Sequence, residues 1–190
     1  IPDAAHISYI HKYGDKPMRG NQAFEFFSKE SDNFVGDLSN VDFKISGHSY
    51  YSTYPVSTLL QERRSLASGI SNVDANLQYY QTEYCLLEGN DEVNGNGRDL
   101  GMDPALYTAR LIHFDLKVAQ SATWYWWLAI SPYDYKDGLV YIDLNKQDGA
   151  VYDSKILWTL GNYSRFIRPG MYRYNVIRSD NQDDERSSTG

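Results

Sequence analysis

Only one cysteine, Cys85, occurs in the chain. That excludes an internal disulfide and leaves no thiolate cluster for zinc, so Cys85 is expected to be a small buried packing residue. Positive charge is also scarce, with 18 Lys and Arg against 25 Asp and Glu and a formal net charge of -7. The cations are scattered, which argues against a nucleic-acid partner, because phosphate binding gathers Lys and Arg on one face. No apolar run approaches the roughly 18–20 residues of a transmembrane segment; the longest candidate is the aromatic stretch at residues 122–130. No leader of charged then apolar residues is visible at the start, so any secretion signal is expected to be absent or upstream.

Aromatic residues are plentiful. The chain holds 17 tyrosines and 4 tryptophans spread along its length, aromatics reach 15%, and 42% apolar with 23% charged residues is the composition of a globular chain. Rings with a polar handle pack cores and also stack on sugar faces.

The spacing predicts a helix over 18–30, a strand over 41–50, and a helix from Pro55 to about Gly69, with proline in the first turn and glycine at the far end. A strand over 77–87 follows, then a glycine-rich loop to Gly101 and a helix to about Gln120, capped by Asp103 with Pro104 at its first position. Residues 122–130 (ATWYWWLAI) read as a third strand, apolar on both faces and so expected to be buried on both sides. A short strand near 139–142, a helix capped by Asp153 and the start of a strand over 171–177 complete the series, with a charged tail from Ser179. Strand, loop and helix repeated three times predict a parallel α/β sheet.

The residues with chemical potential sit at strand ends, where parallel α/β folds place their sites. Glu83 is a carboxylate in an otherwise apolar and aromatic strand, costly to bury unless it is paired or belongs to a site. A nearby arginine or backbone amide satisfying it is the alternative. His48 and Tyr50 end the preceding strand and are placed to donate to a carboxylate on the next one, although a core histidine bonded to backbone has the same sequence signature. Trp124 and Trp126 share a strand face, as a sugar platform requires and as core packing also does. Arg98 is open to an acidic substituent or to solvent. The loop at 90–101 fails the calcium-loop spacing, because its twelfth position is Gly101, and no metal or cofactor is expected. Asn162-Tyr163-Ser164 is a formal glycosylation sequon inside a predicted helix.

Four stretches together resemble glycoside hydrolase family 30, which includes glucosylceramidases, glucuronoxylanases and endo-β-1,6-galactanases. Thr82-Glu83-Tyr84-Cys85 is similar to the pattern at the family's nucleophile strand, and Gly47-His48-Ser49-Tyr50 to the strand before it. Trp126-Trp127-Leu128-Ala129 resembles the tryptophan strand that closes the barrel. The run from Tyr163 through Arg168-Pro169-Gly170 resembles the hand-over from the last barrel helix to an attached β domain. The strings at 83–88 and 131–138 look most like the galactanase-like branch.

The resemblance implies the C-terminal part of a (β/α)8 TIM barrel, about strands five to eight, over residues 1–170, with a β-sandwich side domain beginning at 171–190. It implies Glu83 as nucleophile of a retaining β-glycosidase, with His48 and Tyr50 orienting it, Trp126 on the floor of the adjacent subsite, and no cofactor. It places the acid/base glutamate on strand four, outside this chain, with the N-terminal half of the barrel and the side domain as its structural partners. The implied substrate is a β-linked glycan, met in a secreted, periplasmic or cell-surface setting. A non-catalytic carbohydrate-binding or structural domain built on the aromatic strand is the alternative function.

Overall fold

The computed structural model describes residues 3–14, 19–87, 92–174, 176 and 179. The elements in chain order are β1 (Asp3–Ala4), α1 (Ser8–His11), α2 (Gln22–Phe27), β2 (Lys44–His48), α3 (Val56–Val73), β3 (Gln78–Glu83), α4 (Met102–Lys117), β4 (Ile130–Ser131), β5 (Val140–Ile142), β6 (Val151–Asp153) and α5 (Lys155–Phe166). Strands β1, β2 and β3 form a parallel sheet in that order; the alternating pattern predicts the parallel neighbours β2 and β3 but not β1. A second, mixed sheet follows, with β4 parallel to β5 and β5 antiparallel to β6. The sequence pattern anticipates only β5 of that sheet.

Helix α3 forms because Leu59, Leu66 and Ile70 fall on one stripe and bury it. Pro55 stands at its N-cap, just outside the helix. Gly69 does not end the helix, as expected, but lies inside it: a Cβ there would collide with that of His11, so the glycine lets α1 cross α3 closely. The helix stops at Asp74, whose Oδ1 accepts from the Asn76 amide at 2.7 Å in a local turn that replaces the helical bonds.

Helix α4 is preceded by Gly101, not capped by Asp103, which sits in its first turn and interacts there with the helix dipole. Helix α5 is capped by Ser154, whose hydroxyl accepts from the Leu157 amide at 3.2 Å; Asp153, the expected cap, ends β6.

The expected strand at 122–130 is the largest departure. It follows β3 through the Ala122 amide donating to the Tyr79 carbonyl (2.9 Å), a parallel bridge between Gln81 and Trp124, and the Trp127 amide donating to the Tyr84 carbonyl (2.8 Å). Between these the ladder is carried by a side chain, since the Tyr125 amide donates to Gln81 Oε1 at 2.9 Å. The segment is not buried on both sides. Trp124 and Trp126 turn inward with rings stacked 6.2 Å apart at 26°, whereas Tyr125, Trp127 and Ile130 are exposed.

Two apolar clusters fill the molecule. One lies under α1, α2 and the start of the sheet, around Ile7, Ile10, Ile45, Leu66 and Tyr79. The other, around Leu59, Tyr84, Leu86, Leu111, Phe114 and Ile156, lies beneath the C-terminal ends of β2 and β3. Residues 171–174 are exposed and belong to no strand; the rest of the expected strand at 171–177 and nearly all of the tail lie outside the described residues, as does residue 18 of the expected first helix.

Candidate active site

Strands β2 and β3 run in simple register from Lys44 opposite Gln78 to Gly47 opposite Gln81, and there the register shifts, so that His48 pairs with Glu83 and Thr82 is passed over. The irregularity has a chemical consequence. Each residue along a strand changes face, so skipping one re-aims the next side chain, and Glu83 comes to lie beside His48 and Tyr50.

Tyr50 Oη donates to Glu83 Oε1 at 2.9 Å. Burial, reinforced by Cys85 and Glu83 nearby, pushes the phenol well above its ordinary range, so Tyr50 keeps its proton as the donor of this bond. The Tyr50 hydroxyl also lies 3.7 Å from Cys85 Sγ. Burial chiefly pushes the Cys85 thiol up to about 11, so it remains a neutral packing group, as the sequence suggests.

His48 bridges two carboxylates. Its Nε2 lies 3.0 Å from Asp3 Oδ2 and its Nδ1 3.7 Å from Glu83 Oε1, the second too long for a hydrogen bond. A proton on Nε2 is thus fixed by Asp3. Asp3 also accepts from Thr82 Oγ1 at 2.6 Å, and its carboxyl is held below the ordinary value of 3.8: burial opposes this, but bonds from Thr82, His48 and Ser46 outweigh it. The sequence does not single out Asp3, because two residues of strand are too few to show a period.

A fully buried network supports this rim from below. Arg63 Nε and Asp115 Oδ1 form an ion pair at 2.8 Å, with both side chains essentially inaccessible. Asp115 Oδ2 accepts from Ser49 Oγ (3.0 Å) and from Trp124 Nε1 (2.8 Å), and Arg63 Nη1 donates to the Ser52 carbonyl (2.7 Å). The turn after β2 and the tryptophan segment are therefore fastened to α3 and α4. Both charges are visible in the sequence, since Arg63 lies on the apolar stripe of α3 and Asp115 on that of α4.

Glu83, His48 and Tyr50 line one cavity of about 500 Å³, together with Tyr51, Trp127 and Asp137. Glu83 is one-third exposed, reachable by a ligand. Trp126, expected on the subsite floor, packs instead between Trp124 and Tyr84 and donates from Nε1 to the Asp137 carbonyl at 2.7 Å; the cavity wall is formed by the half-exposed Trp127 beside it. Arg98 is partly exposed and stacks over the rings of Tyr141 (4.7 Å) and Tyr152 (5.6 Å). Among the described residues no cluster of His, Cys, Asp and Glu is arranged for a metal ion, and no helix is long and apolar enough to cross a membrane.

Residues 1–141 match the sequence pattern of O-Glycosyl hydrolase family 30. Over its whole length the chain superposes on a conserved exported protein from Bacteroides fragilis, with a TM-score of 0.78 at 24% identity, covering 40% of that protein. A second match is the catalytic domain of the GH30 xylanase C from Talaromyces cellulolyticus, with a TM-score of 0.42 and 25% identity over 66% of this chain and 24% of the other. The chain thus spans less than half the length of either solved structure. No curated protein sequence matches it significantly.

Proposed function

The chain belongs to O-Glycosyl hydrolase family 30, and from that premise we propose that it carries the nucleophile half of a retaining β-glycosidase active site, with Glu83 as the nucleophile. The observation that carries this reading is the Tyr50 to Glu83 hydrogen bond at the mouth of a cavity, on a carboxylate that a register shift turns toward the site.

In the proposed reaction one oxygen of the Glu83 carboxylate attacks the anomeric carbon as the bond to the leaving oxygen breaks, giving a covalent glycosyl intermediate that water then hydrolyses. Tyr50 holds the carboxylate through Oε1, and His48, fixed by Asp3, sets the polarity of the rim. Trp127 offers its ring face to the sugar, and Trp126 supports it from beneath. The second carboxyl, which protonates the leaving oxygen and stands about 5–5.5 Å from the nucleophile in retaining enzymes, comes from the preceding part of the barrel, of which residues 1–170 form the portion from about strand five to strand eight. The β side domain begins after residue 170.

The substrate is a β-linked polysaccharide or glycoconjugate, too large in the first case to be met inside a cell, which supports a secreted, periplasmic or surface setting. β-1,6-Linked galactan is the first polymer to assay, because the strings at 83–88 and 131–138 resemble that branch. In the full-length protein, a 2-deoxy-2-fluoroglycosyl fluoride should label Glu83 covalently, as read by peptide mass spectrometry, and Glu83→Gln should keep the fold and lose turnover. Near-normal activity of Glu83→Gln, or a label on another residue, would overturn the assignment.

A further inference from the structure

The cavity holds a second carboxylate that the proposed chemistry leaves unused. Asp137 lines the wall beside Trp127, and its backbone is pinned there: its carbonyl accepts from Trp126 Nε1 at 2.7 Å and from the Leu128 amide at 2.5 Å. The residue is only 7% exposed, and its Oδ1 is buried with no hydrogen-bond partner among the described residues. The adjacent Lys136 ammonium is turned to the carbonyls of Asn96 (2.8 Å) and Gly97 (3.0 Å). Tyr50 commits its proton to Glu83, and the Tyr141 hydroxyl donates to the Tyr135 carbonyl at 2.8 Å.

Buried acceptors in folded proteins are nearly always paired, and one left without a donor beside an open cavity marks where a donor arrives with the ligand. The terminal χ2 torsion of an aspartate is soft, so the carboxylate can turn as a ligand arrives. We propose that Asp137 reads the substrate, its carboxylate accepting a hydroxyl proton from the glycosyl unit held against Glu83. This rests on the glycosidase reading above. The charge of the site adds a restriction on that sugar. Glu83 and Asp137 face the same cavity, so a carboxylate on that sugar meets repulsion from both, which favours a neutral unit with a free hydroxyl over a uronic acid.

The test uses the full-length protein and the 2,4-dinitrophenyl β-D-glycosides of galactose and glucose, each with its monodeoxy derivatives. Their leaving group departs without a proton donor. Wild type should lose about 10- to 100-fold in kcat/KM on one particular deoxy glycoside, the range for a hydrogen bond to a charged group. Asp137→Ala should lose a similar factor on the parent sugar and about threefold or less on that deoxy glycoside, because the bond is already missing. Equal losses on every glycoside would reveal a packing role and overturn the proposal. So would a loss confined to methyl or other poor-leaving-group glycosides, which would make Asp137 the proton donor. If Asp137→Ala does not fold, Asp137→Asn carries the same comparison.

Binding of methyl β-glycosides to Glu83→Gln, followed by tryptophan fluorescence, separates the two readings. Binding with an affinity that Asp137→Ala leaves unchanged sinks the Asp137 proposal alone. Binding of none, together with no covalent label on Glu83, sinks the glycosidase reading and this one with it.

Discussion

Just past the end of β2 a single phenol hydroxyl, that of Tyr50, donates to Glu83. Tyr50→Phe removes that hydroxyl while keeping the ring packed 5.5 Å from Tyr84, so kcat should fall about 10- to 100-fold with little change in Tm, as steady-state kinetics and a thermal melt would show. Asp3 gives a pH prediction. Its pKa is lowered from 3.8 in the fold, so its stabilisation is complete above that value and is lost as pH falls through the lower, folded-state value. The difference in denaturation midpoint between wild type and Asp3→Asn should therefore shrink as the pH falls below about 4; a difference that grows over that range would contradict this. Glu83, His48 and Tyr50 stand out in the sequence as strand-end residues, and only the family resemblance gives them roles. Asp3 does not stand out, because its contribution depends on a parallel pairing between distant segments, Asp3 opposite Ser46, that no local pattern encodes.

Helices α3 and α4 are readable from their apolar stripes, and their caps are not. Caps are decided by one residue's backbone conformation, and neighbouring Asp, Ser and Gly compete for the position. The segment at 122–130 misleads for a different reason: its composition is uniformly apolar and aromatic, so periodicity cannot show that Tyr125 and Trp127 face outward. What fixes that segment is polar, the Asp115 bond to Trp124 and the Gln81 side chain. The Arg63 to Asp115 pair offers a direct test at this scale. Asp115→Ala strands a buried guanidinium and should destabilise by about 3–5 kcal/mol in urea denaturation, whereas the double change to Arg63→Met and Asp115→Leu should recover much of that loss. If the double variant is no more stable than Asp115→Ala, the network is needed for the fold and not only for its own neutrality. A tryptophan emission shift from Trp124 should accompany the single change, because its indole N–H loses its partner.

Across the whole molecule, the parallel sheet and the helices against it bury two clusters, yet large apolar side chains remain on the outside of the later helices. Leu106 on α4 and Trp158 and Phe166 on α5 are each more than half exposed, and Ile167, Met171, Tyr172 and Tyr174 continue that exposure. Ile167, Met171, Tyr172 and Tyr174 lie where the proposed side domain begins. Strand β1 has β2 on one edge and no described strand on the other. An open edge and exposed large apolar side chains both favour association. Expressed alone, the 190 residues should therefore sediment as concentration-dependent oligomers and bind a hydrophobic dye, and they should not hydrolyse methyl β-glycosides, whose departure needs the second carboxyl. Adding the preceding barrel half in trans should suppress the dye signal and restore hydrolysis that depends on Glu83. A monomeric, dye-silent chain that hydrolyses methyl glycosides unaided would show that the second carboxyl lies within these residues and would move the proposed division of the barrel.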